Sequence, residues 1–196
     1  VRHAYLFTGP PGLGRRTLAL RFAQALNCPQ PTASGEPCGV CRDCKQFETM
    51  QHPDLSVVQA EFEGGTLKVD QVREVRRTLV LKPYQAKYRV ALFLRFQEAS
   101  EGAANALLKT LEEAPDHVIL ILTADNPEGL LPTIISRCEI LRLRPLPVSA
   151  IESHLKSNGA EAENAHLIEH VSGGRPGYAL RLSEDESALE SRAERL

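Results

Sequence analysis

The sequence predicts an α/β fold, a parallel sheet covered on both faces and followed by a small all-helical segment. Three observations predict it. Arg89–Leu94 (RVALFL) and Val118–Thr123 (VILILT) are near-continuous apolar runs, as expected of strands buried on both sides. Strand-like and helix-like stretches alternate up to Leu143, the pattern of a parallel sheet with crossover helices. Pro145 and Pro147 then break the alternation, and only helical patterns follow.

His3–Thr8 is a short apolar run ending in Gly9-Pro10-Pro11-Gly12, a strand entering a loop. Between Arg15 and Asn27, Leu18, Phe22, Ala25 and Leu26 recur at helical spacing. Pro29, Pro31 and Pro37 forbid a long helix beyond it. Leu55–Val58 is a short strand and Gly64-Gly65 a turn. Asp70 is the expected N-cap of a helix whose inner face is Val72, Val75 and Leu79 and whose outer face carries Arg73, Arg76 and Arg77. Ser100 caps a helix containing Leu107, Leu108 and Leu111. Pro132–Ser136 is a short helix and Glu139–Leu143 the last strand. Ala150–Ser157, Glu163–Val171 and Tyr178–Leu182 are helical. The expected domains are an α/β core over 1–145, with a cysteine module at 28–44, and a helical lid over 146–183. Residues 184–196, charged and helix-prone, are expected to begin a linker to a further domain.

Bulk composition excludes several classes. With 42% hydrophobic residues and a net charge of −2, the 196-residue chain reads as an ordinary globular protein and not as a strongly basic nucleic-acid coat. A local basic patch stays open. No apolar run reaches the roughly 18–20 residues of a membrane helix. Val1-Arg2-His3 has neither a signal-peptide pattern nor an initiator Met, so the expectation is a chain trimmed from a longer one, residing in the cytoplasm.

Cys28, Cys38, Cys41 and Cys44 are spaced C-x9-C-x2-C-x2-C. Without a secretion signal this reads as a metal site rather than a disulfide framework. Four thiolates suit a closed, tetrahedral, structural zinc ion. A redox pair is the rival reading, but it does not need four cysteines. His52 is the nearest alternative ligand and is expected at the surface; Cys138 is expected to be a buried thiol.

Gly9-Pro10-Pro11-Gly12-Leu13-Gly14 lies between a strand and a helix, where a phosphate-binding loop belongs. Gly9 and Gly14 meet the spacing, but Arg15 and Arg16 stand where Lys and Ser/Thr are needed. Arginine is forked and bulkier than lysine, and no arginine can bind Mg²⁺ as a hydroxyl does. Thr17 comes one residue late, about 100° around the helix. A second gap lies after RVALFL. A working ATPase of this type needs a carboxylate at that strand end to hold Mg²⁺. Here Arg95, Phe96 and Gln97 follow, and the first acid is Glu98. The plain alternative for the loop is a Gly-Pro turn that only links strand to helix.

Asn105–Glu113 (NALLKTLEE), Ser136-Arg137-Cys138 downstream and the cysteine cluster upstream together resemble the bacterial clamp-loader family of AAA+ proteins, subunits of DNA polymerase III. The resemblance covers residues 2–182 and is closest to the delta-prime branch, which is known for loss of the ATP chemistry. The tau/gamma branch shares all three motifs but normally keeps the phosphate loop and an Asp-Glu pair, which would fall at Leu94 and Arg95. The resemblance implies an AAA+ core with a five-stranded parallel sheet and a helical lid. It also implies a C-terminal collar and a short N-terminal segment outside this chain.

For function, it implies a non-hydrolysing subunit that acts with tau/gamma and delta subunits, and through them with the sliding clamp and primer-template DNA. Arg137 would be a finger reaching in trans into a neighbour's ATP site. Read from residues alone, Arg137 is a surface arginine paired with a local carboxylate. Gly9, Gly12, Gly14, Arg15, Arg16 and Thr17 would form a vestigial loop that binds no ATP. The lid's sensor arginine would fall at Pro176, with Arg175 one residue off. Two alternatives stay open: an active tau/gamma-like ATPase with a divergent loop, and a zinc module that grips DNA.

Overall fold

The computed structural model describes residues 1–158 and 162–184; the expected linker lies outside them, apart from Glu184. Five strands, β1 (Ala4–Thr8), β2 (Leu55–Val58), β3 (Arg89–Phe93), β4 (Val118–Ala124) and β5 (Glu139–Arg142), form one sheet in the order β2-β3-β4-β1-β5. Every pairing is parallel. The helices are α1 (Arg15–Asn27), α2 (Arg42–Glu48), α3 (Val69–Leu79), α4 (Glu101–Glu112), α5 (Pro132–Ile135), α6 (Val148–Ser157), α7 (Ala162–Ser172) and α8 (Pro176–Glu184). Among the described residues no helix is long and apolar enough to cross a membrane.

The unbroken apolar runs follow from the pleat. In β1, Ala4 and Leu6 enter a core shared with α3 and α4, while Tyr5 and Phe7 point the other way and meet Phe22 of α1 at ring separations of 4.7 and 5.9 Å. Phe93 of β3 and Leu120 and Leu122 of β4 join Leu67, Val72, Leu107 and Leu111 in that first core, all of them buried. Each such side chain stabilises the fold by about 1.5–3 kcal/mol when fully buried. The edge strand β5 is largely exposed, so the cover on both faces that the sequence suggested holds for the inner strands and not for this one.

Three local expectations shift. Helix α3 begins two residues earlier than expected, with Lys68 at its N-cap in place of Asp70, its N–H donating to Gln71 Oε1 at 2.9 Å. Asp70 sits inside the first turn and pairs with Arg73 at 3.2 Å. Arg76 leaves the outer face to donate to the Ala106 carbonyl at 2.8 Å. Helix α1 buries Ala19, Leu20, Ala23, Gln24 and Asn27, and exposes Leu18. The inward-facing amides are tolerated because each is bonded: Gln24 Nε2 donates to the Cys44 carbonyl at 2.6 Å, and Asn27 Oδ1 accepts from the Tyr88 N–H at 2.8 Å. Ser100 caps α4 as expected, accepting from the Ala103 N–H at 3.2 Å.

The chain forms two compact units, Val1–Thr8 with Arg16–Arg142, and Gly9–Arg15 with the segment from Leu143 onward. The second unit has its own small core of Ile151, Leu155, Ala165, Ile168, Ala179 and Leu182.

In the first unit, fully buried Asp54 accepts from the N–H groups of Tyr84, Gln85 and Ala86 at 2.6, 2.9 and 2.9 Å, and pairs with Arg89 at 3.1 Å. This carboxylate gathers the loop between α3 and β3 onto the start of β2. Burial pushes its pKa up, but the three N–H groups and Arg89 outweigh that and hold it below the ordinary value. The stabilisation is therefore complete above the usual carboxylate pKa of about 3.9 and is lost as pH falls through the lower folded-state value. Asp54→Ala should cost about 3–5 kcal/mol, read as a lowered urea midpoint at pH 7. The variant should also lose part of the wild-type acid sensitivity below that range.

Candidate functional site

The cysteine cluster is assembled from the end of one helix and the start of another. Cys28 continues the last turn of α1, its N–H donating to the Gln24 carbonyl at 2.7 Å. Cys41 is the N-cap of α2 and Cys44 lies in its first turn. Between Cys38 and Cys41 the chain turns through Gly39 at φ +71°, a conformation that favours glycine. The four Sγ atoms all lie within 4.8 Å of one another, with Cys38 and Cys44 4.0 Å apart. Thiolates around one tetrahedral zinc, with bonds of about 2.3 Å, stand about 3.8 Å apart.

Backbone N–H groups of Cys38, Cys41 and Cys44 point at the sulfurs of Cys28, Cys38 and Cys41, each at 3.4 Å, the contacts that stabilise thiolate charge. The N–H groups of Cys41 and Val40 bring the Cys38 thiol down to about 6, whereas burial pushes Cys44 up to about 12 and raises Cys41. The donor set and its second shell fit a zinc ion, and these four residues could hold one. Its chemistry would be structural, since four thiolates leave no open position.

The cluster is tied into the sheet by polar contacts that composition alone does not reveal. Phe47 of α2 is fully buried and stacks on His52 at 4.2 Å. His52 is itself buried, not at the surface as expected, and is not among the clustered ligands. Its Nδ1 accepts from the Asp54 N–H at 3.0 Å, while Nε2 lies 3.4 Å from Asp43 and 3.2 Å from Gln85 Nε2. Burial holds its pKa below the ordinary histidine value, against the pull of Asp43 and Asp54. Gln85 also donates to Asp43 and Gln46 of α2, at 3.1 and 2.9 Å.

The glycine loop has Gly9, Gly12 and Gly14 at φ +150°, +88° and +83°. In the unit that contains it, the Gly12 carbonyl accepts from the Gly177 N–H at 2.8 Å, and a Cβ on Gly12 would come within 3.0 Å of the Tyr178 Cβ. Pro176 opens α8. Arg175 stacks over the Tyr178 ring at 4.7 Å and donates from Nε to the Ser172 carbonyl at 2.7 Å. Arg15 is half-buried at the start of α1, Arg16 is exposed and reaches Met50 Sδ at 3.3 Å, and Thr17 is exposed.

At the end of β3, Leu94 is buried and Arg95 adopts a left-handed conformation, φ +49°. Its N–H donates to Thr123 Oγ1 at 3.0 Å, and its Nε pairs with Glu98 Oε1 at 2.9 Å. The same Glu98 oxygen accepts from the Gly64 N–H at 2.9 Å.

Arg137 follows α5. Its Nη1 donates to the Thr133 carbonyl at 2.8 Å and its Nη2 pairs with Glu112 Oε1 at 2.5 Å. Glu112 ends α4, so the NALLKTLEE stretch and the Ser136-Arg137-Cys138 motif meet in this pair. One third of the Arg137 side chain stays exposed. Burial pushes the Cys138 thiol up to about 12. A cavity of about 470 Å³ beside α3 and α4 is lined by Arg73, Arg76, Arg77 and Lys109, a local basic patch on a chain of net charge −2.

The family described as DNA polymerase III, delta subunit, matches residues 1–147. The chain belongs to the DNA polymerase III delta-subunit family. A relative named DNA polymerase III subunit delta' from Pseudomonas aeruginosa is 38% identical over 183 residues, covering 92% of this chain and 55% of the relative. The Bacillus subtilis protein of the same name is 34% identical over 193 residues, covering 98% and 57%. DNA polymerase III subunit tau of Escherichia coli is 35% identical over 166 residues, covering 85% and 25%. The chain thus spans a little over half the length of the delta' relatives it matches.

Among solved structures, a gamma subunit-related protein of Thermotoga maritima superposes with a TM-score of 0.54 at 19% identity, covering 92% of this chain and 66% of the other. The RuvB Holliday junction branch migration motor of the same organism gives 0.59 at 17%, covering 93% and 53%. These likenesses establish the fold, an AAA+ core with a five-stranded parallel sheet.

In this member of the delta-subunit family the four cysteines sit on the polar network around Asp54, so losing a ligand should be felt in the fold. Cys41→Ser should lower zinc content by at least about tenfold, measured by plasma mass spectrometry after dialysis, and should lower the melting temperature. Wild-type protein treated with a chelator should melt at the same lowered temperature.

Proposed function

We propose that the chain is the non-hydrolysing partner in a bacterial clamp loader of DNA polymerase III. Family membership supports the loader assignment. The observation that carries the loss of hydrolysis is the end of β3, where Leu94 is buried and Arg95 is engaged by Glu98. A carboxylate that would hold Mg²⁺ is missing there, and a guanidinium in its place repels the ion. Arg15 and Arg16 in the loop support the same reading, as does Arg175, which is committed to Tyr178 and Ser172.

In this reading residues 1–145 are the AAA+ core, with structural zinc on Cys28, Cys38, Cys41 and Cys44, and 146–183 are its lid. The loop of Gly9, Gly12, Gly14, Arg15, Arg16 and Thr17 holds no ATP. The partners are tau/gamma and delta subunits, and through the assembly the sliding clamp and primer-template DNA. The basic patch of Arg73, Arg76, Arg77 and Lys109 suits a polyanion. Arg137 acts in trans on a neighbour's ATP. It exchanges the Glu112 carboxylate for a γ-phosphate and stabilises the charge that develops there.

A second reading, an active tau/gamma-like ATPase with a divergent loop, is favoured by the 35% identity to the Escherichia coli tau subunit. Two measurements separate them. The purified chain should neither bind ATP at micromolar concentration nor turn it over; turnover would establish the second reading. In a reconstituted loader, Arg137→Ala should reduce DNA-stimulated hydrolysis at one neighbouring site by about 10³-fold, the lower end of what fingers supply in trans, with assembly intact. Unchanged hydrolysis would remove Arg137 from that role.

A further inference from the structure

The helical unit contains a second group of metal-ligating side chains, unrelated to the cysteines. Glu152 projects from α6, and His166 and Glu169 project from α7 at a spacing of three residues, which places them on one face. One ligand atom from each lies within 4.8 Å of the other two.

Glu169 is the informative member. It is 4% exposed, packed beside the core residues Ala165 and Ile168, yet its Oε2 has no hydrogen-bond partner. The nearest cationic candidate is His166 Nδ1 at 3.5 Å, on a largely exposed ring that is charged only when protonated. Burying a carboxylate oxygen without a partner costs several kcal/mol unless a positive charge compensates it. Lys156 does not supply that charge to Glu169. Its Nζ is spent on Glu152 Oε1 at 2.6 Å. That contact, chiefly, holds the Glu152 carboxyl below the ordinary range and keeps it ionised at neutral pH. The result is two carboxylates in hydrogen-bond contact with each other, converging with one imidazole at a buried oxygen of Glu169 that has no hydrogen-bond partner.

We infer that Glu152, His166 and Glu169 bind a divalent transition-metal ion that bridges α6 and α7. One imidazole and two carboxylates are a borderline-to-hard donor set, suited to Mn²⁺, Co²⁺ or Zn²⁺ and distinct from the soft thiolate set of the cysteines. Glu169 is the fixed ligand, held by the core. His166 and Glu152 are more exposed and can rotate onto the ion. Three protein ligands leave the remaining positions to water.

Mn²⁺ separates the two sites, because thiolates select zinc over it. The full chain, loaded with one equivalent of zinc, is titrated with Mn²⁺ while free Mn²⁺ is followed by electron paramagnetic resonance. One ion should bind per chain, and the melting temperature should rise with Mn²⁺ concentration. His166→Ala, at an exposed position where the fold should survive, and the near-isosteric Glu169→Gln should each weaken binding by at least about tenfold. Absence of Mn²⁺ binding in the wild type overturns the inference. So does binding that both His166→Ala and Glu169→Gln retain. If Glu152 and Glu169 instead share a proton, Mn²⁺ will not shift the melting temperature and Glu169→Gln will leave it near the wild-type value.

Discussion

One buried carboxylate organises most of what is distinctive in the first unit. Asp54 offers its oxygens to three consecutive N–H groups and to Arg89, and no water is needed to satisfy it. A loop with unpaired N–H groups could not lie against a buried strand. With Asp54 in place, residues 84–86 cover the start of β2 and deliver the chain into β3. The same loop carries Gln85 and Tyr88, which reach α2 and α1. Sheet register, helix docking and the cysteine module therefore share one anchor.

The cysteines draw on that anchor at one remove. A metal site shaped only by its ligands would depend on a loop with three prolines and two left-handed glycines. Here Phe47 and His52 carry the geometry from the sheet to α2, and Gln24 carries it from α1 to the Cys44 carbonyl. The sulfurs are thus brought together by contacts outside the cluster as well as by their own spacing, the preorganisation a structural metal site would use.

The strands were legible because burial on both faces leaves an unmistakable mark: RVALFL and VILILT are β3 and β4 almost to the residue. The cysteine cluster was legible because ligand spacing is local. The face of α1 was not, since Gln24 and Asn27 point inward to partners 20 and 61 residues away, and no periodicity encodes a distant carbonyl or N–H. The burial of His52 is hidden from the sequence for the same reason, since it depends on Phe47, Asp54 and Gln85 meeting around it. Asp70 looked like a cap because the residue type suits one, but Gln71 closes the first turn by bonding back to Lys68. The Arg137–Glu112 pair joins two motifs that sequence reading treats as separate. The polar triad of Glu152, His166 and Glu169 carries no signal beyond an ordinary amphipathic helix until α6 and α7 are placed side by side.

Arg95 constrains what the end of β3 can accept. Its backbone is left-handed, at a cost of about 1–2 kcal/mol for a residue with a Cβ, and the conformation is held by Thr123 on one side and Glu98 on the other. The Glu98 side chain is 10% exposed and pairs with this cation. An acid at position 95 would set two carboxylates against each other beside the largely buried Glu98, and would be penalised unless position 98 changed with it. Positions 95 and 98 are thus tied, and a side chain three residues on decides which residues the end of β3 tolerates.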